Sequence, residues 1–348
     1  MDALGNKCFN RLSVVIPIRN EKDKILDLLY DLNLQDLSRQ NWEVIIVDDQ
    51  SNDGSVQWIK EHADKFDFTY RILSLKVPAK FNGSHKKLAI KQAVEVATGD
   101  VIMVTDGDCR VGNNWLSTVQ SYFDQTDVVF ISGPVTFYQE KSFFQHLQTI
   151  EFASLVGTGG SCLIAGFPNM CNGANLAFTK ESFIKVDGYQ GYMHIASGDD
   201  EFLMHKIAHC FPKKVHFLKD RRSIVKTSAH QTLKAFYHQR KRWASKWPHY
   251  RDVKIKFLAF YIYFFYLVIL ICGMMVVFNR FSLTVFISLF LLKVLVDFIF
   301  LKSVMNFLQK PINFLRFLTL EMIYPFYVVF FGIITNFGKY EWKSRTIG

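Results

Sequence analysis

Leu12-Ser-Val-Val-Ile-Pro17 and Trp42-Glu-Val-Ile-Ile-Val47 decide the fold. Each is a short, nearly continuous apolar run, and the first ends in proline. Such runs read as strands buried on both faces. Between them, Glu21 to Leu37 carries apolar residues at 25, 28, 29, 32 and 34, close to helical spacing. Ser51-Asn-Asp-Gly54 reads as a turn, and Ser55 as the cap of a helix reaching Glu61. Tyr70–Leu75 is a third strand. Lys86 to Ala97 is a helix with Ala and Val on one face, separated by Gly99-Asp100 from a strand at Val101–Thr105. This alternation predicts an α/β fold with a doubly wound, mostly parallel sheet. Ligands of such sheets bind beyond the carboxyl ends of the strands. Asp48, Asp49, Asp106 and Asp108 all fall at that edge. After Val128–Ser132 the pattern loosens. Phe143 to Val156 is an amphipathic helix, Gly157 to Gly173 is expected to be irregular, and Ser182–Val186, Asp200–Ala208 and His230–Trp243 are helical.

The 348 residues are half hydrophobic and 16% aromatic, which excludes a disordered chain. Apolar residues concentrate in three runs, at about 257–278, 281–301 and 317–337, each long enough to cross a bilayer. Lys293 and Asp297 are spaced to pair on one helix face. Glu321 and Pro325 predict that the third span is kinked or partly interfacial. The organisation expected is a soluble domain over 1–229, a basic interface segment over 230–256, about three transmembrane helices over 257–337 and a basic tail over 338–348.

The net charge is +10. Between Lys213 and Lys256 fourteen Lys or Arg face two acids, Asp220 and Asp252, so this block is about +12 and the rest of the chain is close to neutral. A basic block beside a span predicts the cytoplasmic side and contact with anionic membrane lipids, and argues against nucleic acid as the partner. The six cysteines show no metal-ligand spacing and read as reduced structural thiols. Met1 to Asn10 has no signal-peptide pattern. After three full crossings, Glu341-Trp-Lys-Ser-Arg345 would end opposite the soluble domain, against the positive-inside bias.

Four acidic or basic groups carry candidate chemistry. Asp106-Gly-Asp108 suits a divalent cation that also takes phosphate oxygens, although Asp-x-Asp turns are common. Asp49 can accept a hydrogen bond from a base or ribose, whereas Asp53 and Ser55 read as turn and cap chemistry. Gly198-Asp-Asp-Glu201 either offsets a helix dipole or supplies a general base. Gln239-Arg-Lys-Arg-Trp243 can hold an anionic leaving group and stack on a flat ligand beside the lipid. Within and after it, Arg240, Lys241, Lys246, Trp247 and Arg251 read as solvated or lipid-facing anchors.

In this order the motifs resemble a family. Val15-Ile-Pro17 with Asn20-Glu21, Val47-Asp-Asp49 with Ser51 and Asp53-Gly54, Asp106-Gly-Asp108, Asn172-Gly-Ala-Asn175, Asp199-Asp200 and Gln239-x-x-Arg242-Trp243 are similar to those of membrane-integrated family 2 glycosyltransferases of the GT-A fold. That group includes cellulose and hyaluronan synthases and ceramide glucosyltransferase. The resemblance covers about residues 12–250. It implies that Pro17 and Glu21 line a nucleotide pocket, that Asp49 contacts the base and that Lys86 approaches the diphosphate. It implies that Asp106 touches the donor, Asp108 holds Mg²⁺ or Mn²⁺, and Asp200 deprotonates the acceptor. Gln239 and Arg242 would hold the leaving diphosphate and Trp243 would stack on the acceptor. Asp199-Asp200 stands where the family usually has Glu-Asp, and Ser84-His85-Lys86 lacks the usual Gly before the Lys. The expected activity is inverting, metal-dependent transfer from a nucleotide-diphosphate sugar to a lipid or lipid-linked acceptor. The enzyme is expected in the cell (inner) membrane, with its catalytic domain cytoplasmic. A processive polysaccharide synthase acting on a glycan acceptor is the alternative. A non-catalytic nucleotide-binding membrane protein and a transporter with a soluble domain fit the motifs less well.

Overall fold

The computed structural model describes residues 9, 11–334, 340–342 and 345–347. Cys8 and the rest of the N-terminal stretch, with Lys343 and Ser344 of the tail, lie outside the described residues. In chain order the elements are β1 (Leu12–Ile18), α1 (Ile25–Asn33), β2 (Trp42–Asp48), α2 (Ser55–Glu61), β3 (Tyr70–Ser74), α3 (His85–Val96), β4 (Val101–Val104), α4 (Trp115–Gln125), β5 (Phe130–Ser132), β6 (Val135–Tyr138) and α5 (Phe143–Ile164). They continue with β7 (Leu176–Thr179), α6 (Lys180–Lys185), α7 (Glu201–Cys210), β8 (Val215–Phe217), β9 (Val225–Ser228), α8 (Leu233–Ala244), α9 (Val253–Val277), α10 (Leu283–Phe307), α11 (Phe314–Ile334), β10 (Tyr340–Trp342) and β11 (Arg345–Ile347). They fall into two compact units, residues 1–138 with 158–228, and residues 139–157 with 229–348.

The first unit is built on a seven-stranded sheet in the order β3-β2-β1-β4-β7-β5-β8. β1 to β4 are mutually parallel and β7 runs antiparallel between β4 and β5. This is the mostly parallel α/β sheet expected, with helices completing it. β1 and β2 are buried almost throughout, which is why their sequences show runs rather than alternation. Val15, Ile45, Val47, Ile102 and Val104 share one core with α3, α6 and α7. Val14 and Ile16 point to the other face by the pleat.

α1 is shorter than its spacing suggests because the chain before it is held elsewhere. The N–H groups of Asn20, Glu21 and Lys22 donate to Ser51 Oγ, Ser55 Oγ and Asp53 at 3.0, 3.0 and 2.9 Å. Ser55 is therefore a brace, and Gly54, at φ +84°, occupies the cap position of α2. α5 continues eight residues past Val156, through glycines expected to be irregular. A Cβ at Gly157 would meet Val304 at 2.6 Å, and one at Gly160 would meet the Phe217 ring at 3.0 Å. These glycines allow close packing of a continuous helix.

In the second unit, the first part of α5 packs with α10 and α11 through Ile150, Ala153, Val294, Leu301, Met305, Leu308 and Phe317. α9, α10 and α11 are each long and apolar enough to cross a membrane, and their apolar windows are 0%, 6% and 17% buried. Apolar faces left this open suit a lipid solvent. The Lys293–Asp297 pair forms at 2.9 Å, and Glu321 of α11 joins it through Lys293. α11 lies close to α8 and α9 together: Tyr237 of α8 meets the Phe330 and Phe331 rings, and a Cβ at Gly332 would meet the Tyr263 ring. β10 also packs beside α8.

At the amino edge of the sheet, Glu43 of β2 is 1% exposed and accepts from Ser13 Oγ, Thr98 N and Thr98 Oγ1 at 2.7–2.8 Å, with Arg71 on its other oxygen. Burial alone would raise this carboxyl; the hydrogen bonds from Thr98, Arg71 and Ser13 outweigh it and lower the pKa from 4.5 to about 2. The folded-state value is depressed, so the stabilisation is present above about pH 4.5 and is lost as pH falls towards 2. Glu43→Gln is expected to cost roughly 2–3 kcal/mol at neutral pH, and the gap to wild type should close in thermal melts of the detergent-solubilised chain at low pH.

Candidate active site

Parallel pairing puts the carboxyl ends of β1, β2 and β4 on one edge of the sheet. Antiparallel pairing of Val104 with Leu176 brings the start of β7 to the same edge. Asp49 follows β2, Asp106-Gly-Asp108 follows β4, and Asn172-Gly-Ala-Asn175 leads into β7. Five of the expected carboxylates, Glu21, Asp49, Asp106, Asp108 and Asp200, are thereby gathered in the first unit.

Lys86, in the first turn of α3, bridges two of these segments. Its ammonium lies 2.7 Å from Asp106 Oδ1 and 3.0 Å from Asp199 Oδ2. Burial works against its charge, but the two carboxylates outweigh burial and raise its pKa. The ammonium is shared unequally. Burial pushes Asp199 up, yet Lys86, by charge and hydrogen bond, holds it below the usual carboxylate range. Asp106 is raised by burial, with Lys86 opposing and Asp108 and Asp199 adding like charge. Asp199 is 8% exposed and committed to the ion pair.

Asp200 is half-buried and held by backbone: Oδ2 accepts from Gly173 N–H at 3.0 Å and Oδ1 from Glu201 N–H at 2.8 Å. Gly173 is required by proximity, since a Cβ there would sit 3.0 Å from Asp199 Oδ2 and 3.2 Å from Lys86 Nζ. Gly107 serves in the same way, with its Cβ direction 2.9 Å from Ile18 Cγ2 and 3.3 Å from Glu21 Cγ. The Asp106-Gly-Asp108 turn therefore lies against the end of β1, which carries Pro17. Asp49 Oδ1 is 2.7 Å from His85 Nδ1, and Arg19 donates to the Asp49 carbonyl at 2.6 Å. Asp108 is paired with Lys24 at 3.5 Å and its side chain is 28% exposed.

Sequence reasoning missed His85, Arg19, Lys24 and Lys87. Lys87 is fully buried, and its ammonium donates to the carbonyls of Tyr192, Ile195 and Ser197 at 2.7–2.8 Å. It lies 5.3 Å from the centroid of the Phe202 ring. It thus fixes the loop that leads into Asp199-Asp200. Its available signal is its spacing with Ile90 and Val94, which puts a lysine on the buried face of α3.

Gln239, Arg242 and Trp243 lie on α8 in the second unit. Arg240, Lys241 and Lys246 are 3%, 6% and 6% exposed, not solvated or lipid-facing. Arg240 is buried because Glu151 of α5 meets its guanidinium on two oxygens. Arg251 is exposed.

Among the described residues no group of three His, Cys, Asp or Glu forms a ready-made metal cage. Asp106 and Asp108 do fit the other arrangement of a hard cation, one or two carboxylates completed by phosphate oxygens. Asp108 is partly open, with Lys24 at 3.5 Å from Oδ2 and the Cys109 thiol 4.0 Å from Oδ1, both long contacts.

Residues 13–186 match the profile of Glycosyl transferase family 2, and residues 101–301 that of Glycosyl transferase family group 2. The glycosyltransferase AglE of Haloferax volcanii is 31% identical over 126 residues, covering 36% of this chain and 40% of that protein. The poly-beta-1,6-N-acetyl-D-glucosamine synthase of Staphylococcus epidermidis is 23% identical over 270 residues, covering 73% of this chain and 60% of that protein. The chain thus spans less than two thirds of the length of these relatives. The structure of the mannosyltransferase PcManGT from Pyrobaculum calidifontis, in complex with GDP-Man and Mn²⁺, matches with a TM-score of 0.51 at 20% identity, over 68% of this chain and 61% of that one. That likeness shows a shared GT-A-type fold. With half of its residues inside the first profile and a parallel sheet edge lined as described, the chain belongs to glycosyl transferase family 2.

Proposed function

We propose that the chain moves a sugar from a nucleotide-diphosphate sugar to a lipid or lipid-linked hydroxyl at the cytoplasmic face of the cell membrane, with inversion. The observation that carries this reading is the division of labour between Asp199 and Asp200. Asp199 is spent on Lys86, while Asp200 is half-buried and oriented by two backbone N–H groups, one on each carboxylate oxygen. This favours Asp200 as the base. It takes the acceptor proton while the acceptor oxygen bonds to the anomeric carbon; the bond from that carbon to the diphosphate oxygen breaks, and the nucleoside diphosphate leaves with the electron pair.

The ends of β1 and β2 would receive the nucleoside, with Pro17 and Glu21 as walls and Asp49 as acceptor for the base. Asp106 would touch the donor, and Lys86, already poised between carboxylates, would meet the diphosphate. Asp108, with the diphosphate, would hold Mg²⁺ or Mn²⁺, as the Mn²⁺ in the PcManGT complex supports. A bound cation would neutralise the departing diphosphate. Gln239 and Arg242 would bind the same leaving group and Trp243 the acceptor. The exposed apolar helices support a membrane setting, and the contacts of α11 and β10 with α8 support an α11 that lies across the bundle near the interface. The tail is then on the side of α8.

Asp200→Asn is expected to lower transfer by about 10²–10⁴-fold, while protection of the chain against thermal unfolding by its nucleotide sugar stays intact. Equal transfer by the variant would remove Asp200 from the base role. Chelation by EDTA should abolish transfer of label from UDP-GlcNAc or GDP-mannose into membrane product, with recovery on adding Mn²⁺ or Mg²⁺. A discrete organic-extractable product supports the lipid acceptor, and a long polymer supports the processive synthase. Thr346→Cys in inside-out vesicles should react with an impermeant maleimide; reaction only in right-side-out vesicles would restore three full crossings.

A further inference from the structure

Arg240 touches more of the Gln239–Trp243 motif than any role of an anchor explains. Its Nη1 donates to Gln239 Oε1 at 2.5 Å. Its guanidinium lies over both the Trp243 and the Phe236 rings, 4.3 and 4.5 Å from their centroids. Nε donates to Glu151 Oε1 at 3.1 Å and Nη2 pairs with Glu151 Oε2. Glu151 is 3% exposed and also accepts from the Tyr327 hydroxyl of α11 at 3.0 Å. The Phe152 ring is 6.1 Å from Trp243.

A buried pair of this kind is seldom kept for stability alone, because apolar residues of similar volume serve at least as well. Its geometry is directional. A planar guanidinium held by a two-oxygen contact has a fixed plane, and an indole stacked on it takes that plane. Three elements are tied through one carboxylate: α5 carries Glu151, α8 meets it with Arg240 and α11 with Tyr327.

We infer that Arg240 is a positioning residue which, locked by Glu151 and Tyr327, sets the plane of the Trp243 indole for the acceptor end of the reaction. The inference rests on the acceptor role proposed above for Trp243. Its consequence is that acceptor affinity depends on a contact between α8 and two membrane-side helices, whereas donor affinity does not.

The test uses full-length protein in detergent, with a total polar lipid extract as the titrated acceptor and labelled UDP-GlcNAc or GDP-mannose as donor. Arg240→Met is expected to raise the KM for lipid tenfold or more and leave the donor KM within twofold. Arg240→Lys, which keeps the charge and loses the plane, should not rescue it. Glu151→Gln combined with Arg240→Gln removes both partners, so no buried charge is left alone; it should melt within a few degrees of wild type and still show the raised lipid KM. Recovery of the lipid KM in that double variant, or a donor KM rising in step, would overturn the inference. A second reading needs no substrate. The emission of Trp243, taken as the difference between each protein and its Trp243→Phe counterpart, should change on Arg240→Met. An unchanged difference emission overturns the positioning role. If wild type transfers no sugar from either donor, the proposed function fails, and the emission difference alone decides whether Arg240 orients Trp243.

Discussion

Carboxylates crowd one edge of the sheet, and their mutual repulsion is the constraint that the first unit is built to satisfy. Two carboxylates about 5 Å apart repel by roughly 3 kcal/mol at an effective dielectric of about 20. The helix starts supply the answer. α3 contributes His85 to Asp49 and Lys86 to Asp106 and Asp199, and the stretch before α1 contributes Lys24 to Asp108. Asp200 accepts from the backbone N–H groups of Gly173 and Glu201. The first turn of α3 therefore organises the edge as much as the strands do, by setting basic side chains among the carboxylates.

The sheet was legible because parallel strands buried on both faces leave unbroken apolar runs, as in Val14–Ile16 and Val44–Val47. The acidic edge was legible for the same reason, since each aspartate follows such a run. The antiparallel β7 was not, because Leu176–Thr179 is too short to show direction, and direction is what delivers Gly173 to Asp200. The braces were also hidden. Asn20–Lys22 give their N–H groups to Ser51, Asp53 and Ser55, a long-range fit that local spacing cannot encode. Arg240 misled for a physical reason: a basic cluster beside a span is ordinarily solvated, and only Glu151, far away in sequence, makes it a buried group.

In the second unit, buried ionisable side chains come in satisfied sets. Lys293 is shared by Asp297 and Glu321, and Arg240 by Glu151, with Tyr327 on the same carboxylate. In a lipid solvent the alternative is an unmet polar group, so each set pins its helices to one arrangement. Pro325 sits inside α11 without a second break, between Glu321 and Tyr327, whose partners hold the helix on both sides of it.

Lys86 and Lys87 stand side by side, yet one faces two carboxylates and the other three carbonyl oxygens. Three carbonyls converging on one ammonium form the kind of oxygen nest that elsewhere would collect a monovalent cation from solution. Here the cation is covalently tethered and always present. The loop before Asp199-Asp200 thereby keeps its shape whatever the potassium or sodium content of the surroundings, and the two aspartates inherit a foundation that no change of salt can exchange.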